Sequence, residues 1–313
     1  MRLRQQTDDF SMRCLLAGVA GLALLLPGLC EAQTSVVERL APDQPTLVMS
    51  HLGNNGGFLE GGYPENSLAA IRHAIELGVD GVYLPIQVTR DGRYVLMHDA
   101  TLNATTNVEE AYPEGPPGRS RPMTGRRMDF ISDYTLAEIR QLRLTDGQDG
   151  RDHRVPRLEE ALALIDGQVL VTVSLKTYEL ESLSALLATQ ETENLLAFST
   201  TDNREALEVS VATGIKAEAD LGACCRKDPV AGLQMLAEMF GPDLVMASAD
   251  KPLPSAELIE KASELGIRLS VYPRSEDYYL TKGNIAPWEE VLEGGATAFM
   301  TDHPRAILDL MDR

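Results

Sequence analysis

Residues 78–107, GVDGVYLPIQVTRDGRYVLMHDATLNATTN, decide how the rest of the chain is read. An apolar, β-branched run, the pair Asp91-Gly92 and a second apolar run spell a long strand, a tight turn and a return strand. Asp-Gly is among the strongest short hairpin signals, because both central residues of a type I′ turn need positive φ. With these two residues as the loop, facing positions carry numbers that sum to 183, so Pro85 faces His98 and Thr89 faces Tyr94. Alternation then gives Val82, Leu84, Ile86 and Val88 one face, and Tyr83, Pro85 and Gln87, with Leu96 and His98, the other. Drawn this way, the hairpin returns His98 beside Tyr83 and Pro85.

Outward from the hairpin, short apolar runs alternate with amphipathic segments, the signature of repeated βα units. Strands are predicted over 46–50, 82–89, 169–175, 195–199, 215–219, 244–247, 267–272 and 298–301. Helices are predicted over 67–77, 135–142, 158–165, 180–189, 203–213, 229–240, 254–265 and 287–293. Capping signals open several of them: Asn66-Ser67, the Thr135…Glu138 capping box and Pro254-Ser255. Gly78, Gly214 and Gly266 stand where helices end. Eight such repeats favour a closed parallel (β/α)8 TIM barrel, an α/β fold, over a doubly wound sheet. The hairpin is an extension after its second strand.

Two stretches break the rhythm. Residues 108–127 are rich in Pro, Gly and Arg with no apolar period, and read as a long loop near the barrel mouth; residues 146–154 read as a second polar loop. There is no internal repeat, coiled coil or low-complexity tract.

With 313 residues the chain accommodates one large barrel domain with a substantial core. Its formal charge of -19 argues against nucleic acid and against anionic membrane surfaces as partners, since like charges repel. The apolar run 14–30, preceded by Met12-Arg13 and followed by Cys30-Glu31-Ala32, reads as a secretory signal over residues 1–32. A transmembrane anchor is the alternative, although this run is interrupted by Pro27 and short for a span. Cleavage leaves residues 33–313 as a single domain, secreted or periplasmic, without a stable membrane span. It also leaves only Cys224 and Cys225 of the four cysteines, and adjacent cysteines rarely bridge, so no disulfide is expected.

The order of short motifs resembles the glycerophosphodiester phosphodiesterase family. His51-Leu52-Gly53 is similar to the family's HRG, Pro64-Glu65-Asn66-Ser67 to its PENT, and His98-Asp99 to the HD that follows the hairpin. The likeness continues through SDYTLAEI (132–139), VPRLEEAL (155–162), VSLK (173–176) and TDHP (301–304), nearly the whole of the mature chain. It implies a TIM barrel of the phospholipase C-like phosphodiesterase type and phosphoric diester hydrolysis in lipid metabolism. In the family a divalent cation such as Ca²⁺ or Mg²⁺ is held by two carboxylates of an ExD pair and a third from an ExK strand. Those positions are Tyr83, Pro85 and Ser174 here. The arginines of HRG and LxRTT are replaced by Leu52 and Ala104.

The resemblance casts the surviving His51 and His98 as the general acid and base, with Glu65, Asp99, Lys176, Tyr83 and Ser174 around the substrate. Two histidines on one rim can activate a nucleophile and protonate a leaving alkoxide, and Lys176 can neutralise phosphate charge. His73, His153 and His303 are expected to be structural. Three lost ligands together lead to the expectation of no metal: an exported pseudoenzyme that binds a small phosphorylated or polar ligand without metal-dependent hydrolysis. The alternative is an active hydrolase using His51 and His98 with no metal, or with one relocated to Glu218 and Asp220 alongside Asp250 or Asp302.

Overall fold

The computed structural model describes residues 36–53, 58–59, 61–118, 128–249 and 251–313. The expected signal segment 1–32, residues 119–127 of the expected long loop, and Asp250 lie outside them. Among the described residues no helix is long and apolar enough to cross a membrane.

All eight predicted barrel strands form. We number the sheet β1 (Leu47–Ser50), β2 (Gly81–Val88), β3 (Tyr94–Leu96), β4 (Leu170–Leu175), β5 (Leu195–Phe198), β6 (Lys216–Asp220), β7 (Leu244–Ala249), β8 (Arg268–Val271) and β9 (Ala298–Thr301). Neighbours pair in parallel from β2 through β4 to β9, and β1 pairs with both β9 and β2, which closes an eight-stranded barrel. The antiparallel β3 is attached to the carboxyl-end half of β2.

Alternation along each strand separates two apolar layers. One side of the strands packs against the helices, with Val82, Leu84, Val171, Val173, Leu269 and Val271 among the buried residues. The other fills the interior with Leu47, Met49, Leu170, Leu196, Met246 and Met300, together with Tyr83 and Phe198. Arg268 also points inward from β8 and is wholly buried; its guanidinium donates to the carbonyls of Arg39, Pro45 and Thr297, a floor made of backbone oxygens.

The hairpin register differs from the sequence expectation by one residue. Ile86 faces Leu96 and Val88 faces Tyr94, so facing numbers sum to 182. The reason lies in the turn: Gly92 N–H donates to Thr89 O and Thr89 N–H to Arg93 O, which makes Arg90-Asp91-Gly92 a three-residue loop. Only Gly92 adopts positive φ there, at +69°, so the connection is a type I turn followed by a left-handed glycine rather than type I′. Thr89 Oγ1 holds it shut by donating to Asp91 Oδ1 at 2.7 Å and accepting from Arg93 N–H at 3.0 Å.

A one-residue slip exchanges the faces of the return strand. Tyr94 and Leu96 join the helix-side core, whereas Val95 and Met97 face a separate cluster with Leu102, Val108, Ile131, Tyr134, Ile139 and Leu142. The long excursion between β3 and β4 therefore has an apolar core of its own. Its expected loop begins with a helical turn, Val108–Ala111, whose Val108 is buried in that cluster. The second polar loop docks as well: Gln148 and Asp149 N–H both donate to Gly62 O, and a Cβ on Gly147 would lie 2.5 Å from Pro64 Cγ.

Two helices, Arg274–Leu280 and Pro304–Leu310, were not predicted. A further correction concerns the cysteines: Cys224 and Cys225 are bridged, with Cα atoms 3.7 Å apart. A spacing below the usual disulfide range argued against the bond, but the pair ends a single helical turn, Leu221–Cys224, that brings the two sulfurs together.

Candidate functional site

The carboxyl ends of the strands form one rim, and the predicted site residues are distributed on it. His51 follows β1, with its backbone N–H held by Thr301 O at 2.9 Å, and the chain then turns through Leu52 and Gly53 at φ +58° and +80°. Its ring is buried and donates from Nδ1 to Asp302 Oδ1 at 3.1 Å. Tyr272 OH donates to the other oxygen, Oδ2, at 3.0 Å. Burial alone would raise the Asp302 carboxyl, but the hydrogen bonds from His51 and Tyr272 and the His51 charge outweigh it and hold it below the usual range. An ionised Asp302 fixes the proton on Nδ1 and leaves Nε2 as the working nitrogen. The rings of Tyr272 and Tyr83 flank His51 at centroid distances of 4.6 and 5.1 Å.

His98 reaches the rim by a different route from the one expected. It lies beyond the end of β3, in a bend whose carbonyl accepts from Gln87 Nε2 at 3.3 Å. Its Nδ1 pairs with Asp99 Oδ1 at 3.0 Å, and Asp99 is largely exposed. Burial lowers the His98 pKa below its ordinary value; Asp99 works against this, and the charges of Lys176 and His51 add to it. His51 and Lys176 thus both act on His98, which places the three groups singled out from sequence at one mouth. Lys176 stands with its ammonium 5.9 Å from the Tyr83 ring centroid, its pKa lowered by burial against the pull of Asp99.

Glu65 is buried in the loop after β1, and its backbone N–H donates to Asp146 Oδ2 at 2.8 Å. The polar loop 146–154 thus supports the PENS segment. Of the other histidines, His73 packs on Tyr63 at 5.0 Å and His153 pairs with Asp149 at 2.8 Å.

Tyr83 and Ser174 lie in the barrel interior, where the Tyr83 hydroxyl donates to Ser174 Oγ. Burial drives the phenol well above its ordinary pKa of 10, so it remains a neutral donor. Pro85, which faces Ser174 across β2 and β4, offers no side-chain heteroatom. A divalent cation is held by several carboxylate or carbonyl oxygens at about 2.0–2.6 Å; a neutral phenol bonded to an alcohol, beside a proline, is not such a donor set. Glu218 is fully buried on β6 and accepts from Thr172 Oγ1 at 3.0 Å and Ser248 Oγ at 3.1 Å. Burial pushes its carboxyl up to about 7, with the neighbouring Asp220 adding repulsion. Asp220 itself caps the turn after β6 by accepting from Gly222 N–H. Among the described residues no three His, Cys, Asp or Glu side chains gather in a metal-binding group.

Sequence reading missed Asp277. From the unpredicted helix after β8 it accepts from Thr301 Oγ1, Trp288 Nε1 and the backbone N–H of Asp302, at 2.7, 3.2 and 2.9 Å. Burial pushes it up to about 6 despite these donors. It fixes the residue that fixes His51. Nothing in the local sequence separates it from its neighbour Glu276 or from the surface acid Asp309.

A closed (β/α)8 barrel whose carboxyl-end rim gathers two histidines, each steadied by a carboxylate, and a lysine is of the barrel class that builds its sites on that face. Residues 59–306 match the Glycerophosphoryl diester phosphodiesterase family, and the chain belongs to it. A glycerophosphodiester phosphodiesterase of Caldanaerobacter subterraneus subsp. tengcongensis is 35% identical over 135 residues, 42% of this chain and 46% of the relative. Glycerophosphodiester phosphodiesterase 1 of Homo sapiens is 36% identical over 124 residues, 38% of this chain and 31% of the relative. The chain thus matches less than half the length of these curated relatives. Among solved structures, a glycerophosphoryl diester phosphodiesterase from Parabacteroides distasonis has a TM-score of 0.67 at 20% identity, covering 89% of this chain and 92% of that one. An Oleispira antarctica phosphodiesterase, in complex with the product sn-glycerol-3-phosphate, has a TM-score of 0.58 at 19% identity, covering 85% and 97%. Both likenesses establish the shared barrel.

Proposed function

We propose that this chain is an exported member of the family that holds a small phosphorylated or polar ligand at its barrel mouth without metal-dependent hydrolysis. The observation that carries the reading is the Tyr83–Ser174 hydrogen bond, which ties up two of the three positions assigned by resemblance to cation ligands. Burial keeps the phenol protonated, so neither residue offers the anionic oxygen a divalent ion requires. The rest of the rim suits an anion: Lys176 brings a positive charge, and His51 and His98, each with Nδ1 held by Asp302 or Asp99, donate from Nε2 to an anion once they are protonated. The sn-glycerol-3-phosphate bound by the Oleispira antarctica protein is the chemical class we expect here.

A second reading is favoured by the carboxylate behind each histidine. That arrangement fixes tautomer and direction, as a general acid and base require. One histidine would take a proton from the attacking water and the other give one to the leaving alkoxide, with Lys176 neutralising phosphoryl charge.

One pair of measurements separates the readings. Calorimetric titration with sn-glycerol-3-phosphate, and assay on bis(p-nitrophenyl) phosphate with EDTA, Mg²⁺ or Ca²⁺, should give binding without turnover in every condition. Turnover that persists in EDTA and disappears in His51→Ala and His98→Ala establishes the metal-free hydrolase; turnover that requires the cation refutes both. Export is tested by the mature amino terminus, expected at Gln33 in the secreted or periplasmic fraction.

A further inference from the structure

We propose that Cys224–Cys225 is a thiol–disulfide exchange site on the functional rim of the barrel, with a dithiol reductant as its reaction partner. The bridge closes the turn directly after β6, the strand that carries Glu218 and Asp220 toward the mouth. Asn203 connects the two features. Its Nδ2 donates to Asp220 O at 2.9 Å and to Cys224 Sγ at 3.6 Å, and its Oδ1 accepts from Asp220 N–H at 2.7 Å.

The two sulfurs are not equivalent. Cys224 is exposed, whereas Cys225 is half-buried and packs against Gly232 of the following helix, where a Cβ would lie 2.2 Å from Cys225 Cβ. The pair opens into a surface hollow of about 640 Å³ whose lining also carries two cations, Arg226 and Lys227, against one acid, Asp228. Exchange rates rise with access and with positive charge beside the sulfurs, which favours the thiolate. The hollow, which both cysteines line, gives a reductant room to reach the exposed Cys224.

The step balances. A thiolate of the dithiol attacks Cys224 Sγ, the S–S bond breaks, and Cys225 leaves with the electron pair and takes a proton. The second thiol then attacks its own sulfur in the mixed disulfide, releasing Cys224 as a thiol and the reductant as its cyclic disulfide. Opening the bridge frees the turn whose carbonyl, Gly222 O, accepts from Arg226 Nε at 2.8 Å.

The inference stands apart from the proposed function, and its test reads the turn rather than ligand binding. Non-reducing peptide mass analysis of the purified chain should find Cys224 and Cys225 in one peptide lighter by two hydrogens than the dithiol form. Dithiothreitol should reduce it without loss of the folded circular dichroism spectrum. Tryptic cleavage after Arg226 and Lys227 should then accelerate about fivefold or more, as local opening is released, and reoxidation should restore the slow rate. Cys225→Ser should be cut at the fast rate with or without reductant. If that variant does not fold, the wild-type comparison alone decides. Alkylation of both cysteines before reduction, or cleavage at one rate in both redox states, overturns the proposal.

Discussion

The Tyr83 hydroxyl donates to Ser174 Oγ between neighbouring strands of the barrel interior. Millimolar Ca²⁺ or Mg²⁺ should therefore leave the melting temperature of the wild-type protein where EDTA puts it. Tyr83→Phe should cost about 1 kcal/mol, the usual net worth of one hydrogen bond. The triple variant Tyr83→Glu, Pro85→Asp, Ser174→Glu should gain stability from the cation, about 2.7 kcal/mol when the ion is at a hundred times its dissociation constant. Differential scanning calorimetry checks all three, and a cation-dependent rise in the wild type is the outcome that removes the argument.

Glu218 supplies a pH signature. In the unfolded chain its carboxyl has the ordinary value of 4.5, and burial raises it to about 7 in the fold. Between those values the unfolded chain has lost a proton that the folded chain keeps, so stability falls as pH rises through the window and levels off above it. The loss is on the order of 3 kcal/mol. Glu218→Gln keeps a group that can accept from one hydroxyl and donate to the other. Its melting temperature should exceed that of the wild type by more at pH 8 than at pH 5. An equal difference at the two values would show that Glu218 does not titrate in this range.

The barrel was legible because its physics is local. Alternating apolar runs, the Ser67 cap that accepts from Ala70 N–H and the left-handed Gly78, Gly214 and Gly266 each act within a few residues. The hairpin failed by one residue because Asp91-Gly92 admits two loops, and the choice depends on Thr89 bridging Asp91 and Arg93. His98 still reached the mouth, through the bend beyond β3 rather than through strand pairing. The core of the excursion, the role of Asp277 and the seat of the disulfide rest on how one element packs against the next across a turn. Trp288 Nε1 to Asp277 and Cys225 against Gly232 are two such contacts, close in sequence but set by turn geometry that no apolar period displays.

His98 should make anion binding depend on pH. Its pKa lies below the ordinary 6.5, chiefly through burial, so at neutral pH it is uncharged in the free protein. A glycerophosphodiester carries one negative charge that does not titrate near neutrality, so acidification should strengthen its binding by protonating His98. An affinity gain of about tenfold from pH 7.5 to 5.5, worth about 1.4 kcal/mol, is the expected size. His98→Gln should flatten this dependence while Lys176→Met lowers affinity across the whole range. A wild-type affinity independent of pH would place His98 outside the binding site.

Gly232 should resist the substitution that helices ordinarily welcome. Replacing a helical glycine by alanine is worth up to about 1 kcal/mol in propensity, and Gly232 lies inside the helix Pro229–Phe240. The added Cβ, however, would stand 2.2 Å from Cys225 Cβ and 2.7 Å from its Sγ. A Cβ has no rotamer with which to withdraw, and Cys225 is tethered to Cys224, so the backbone of the turn must move. Overpacking of this kind costs about 1–3 kcal/mol, enough to cancel the propensity gain or exceed it. Gly232→Ala should therefore be neutral to destabilising in the oxidised protein, and should recover stability relative to wild type once the bridge is reduced and Cys225 can shift. Denaturant unfolding of both proteins with and without dithiothreitol measures the difference, and a stabilised oxidised Gly232→Ala would mean that the turn is already free to give way.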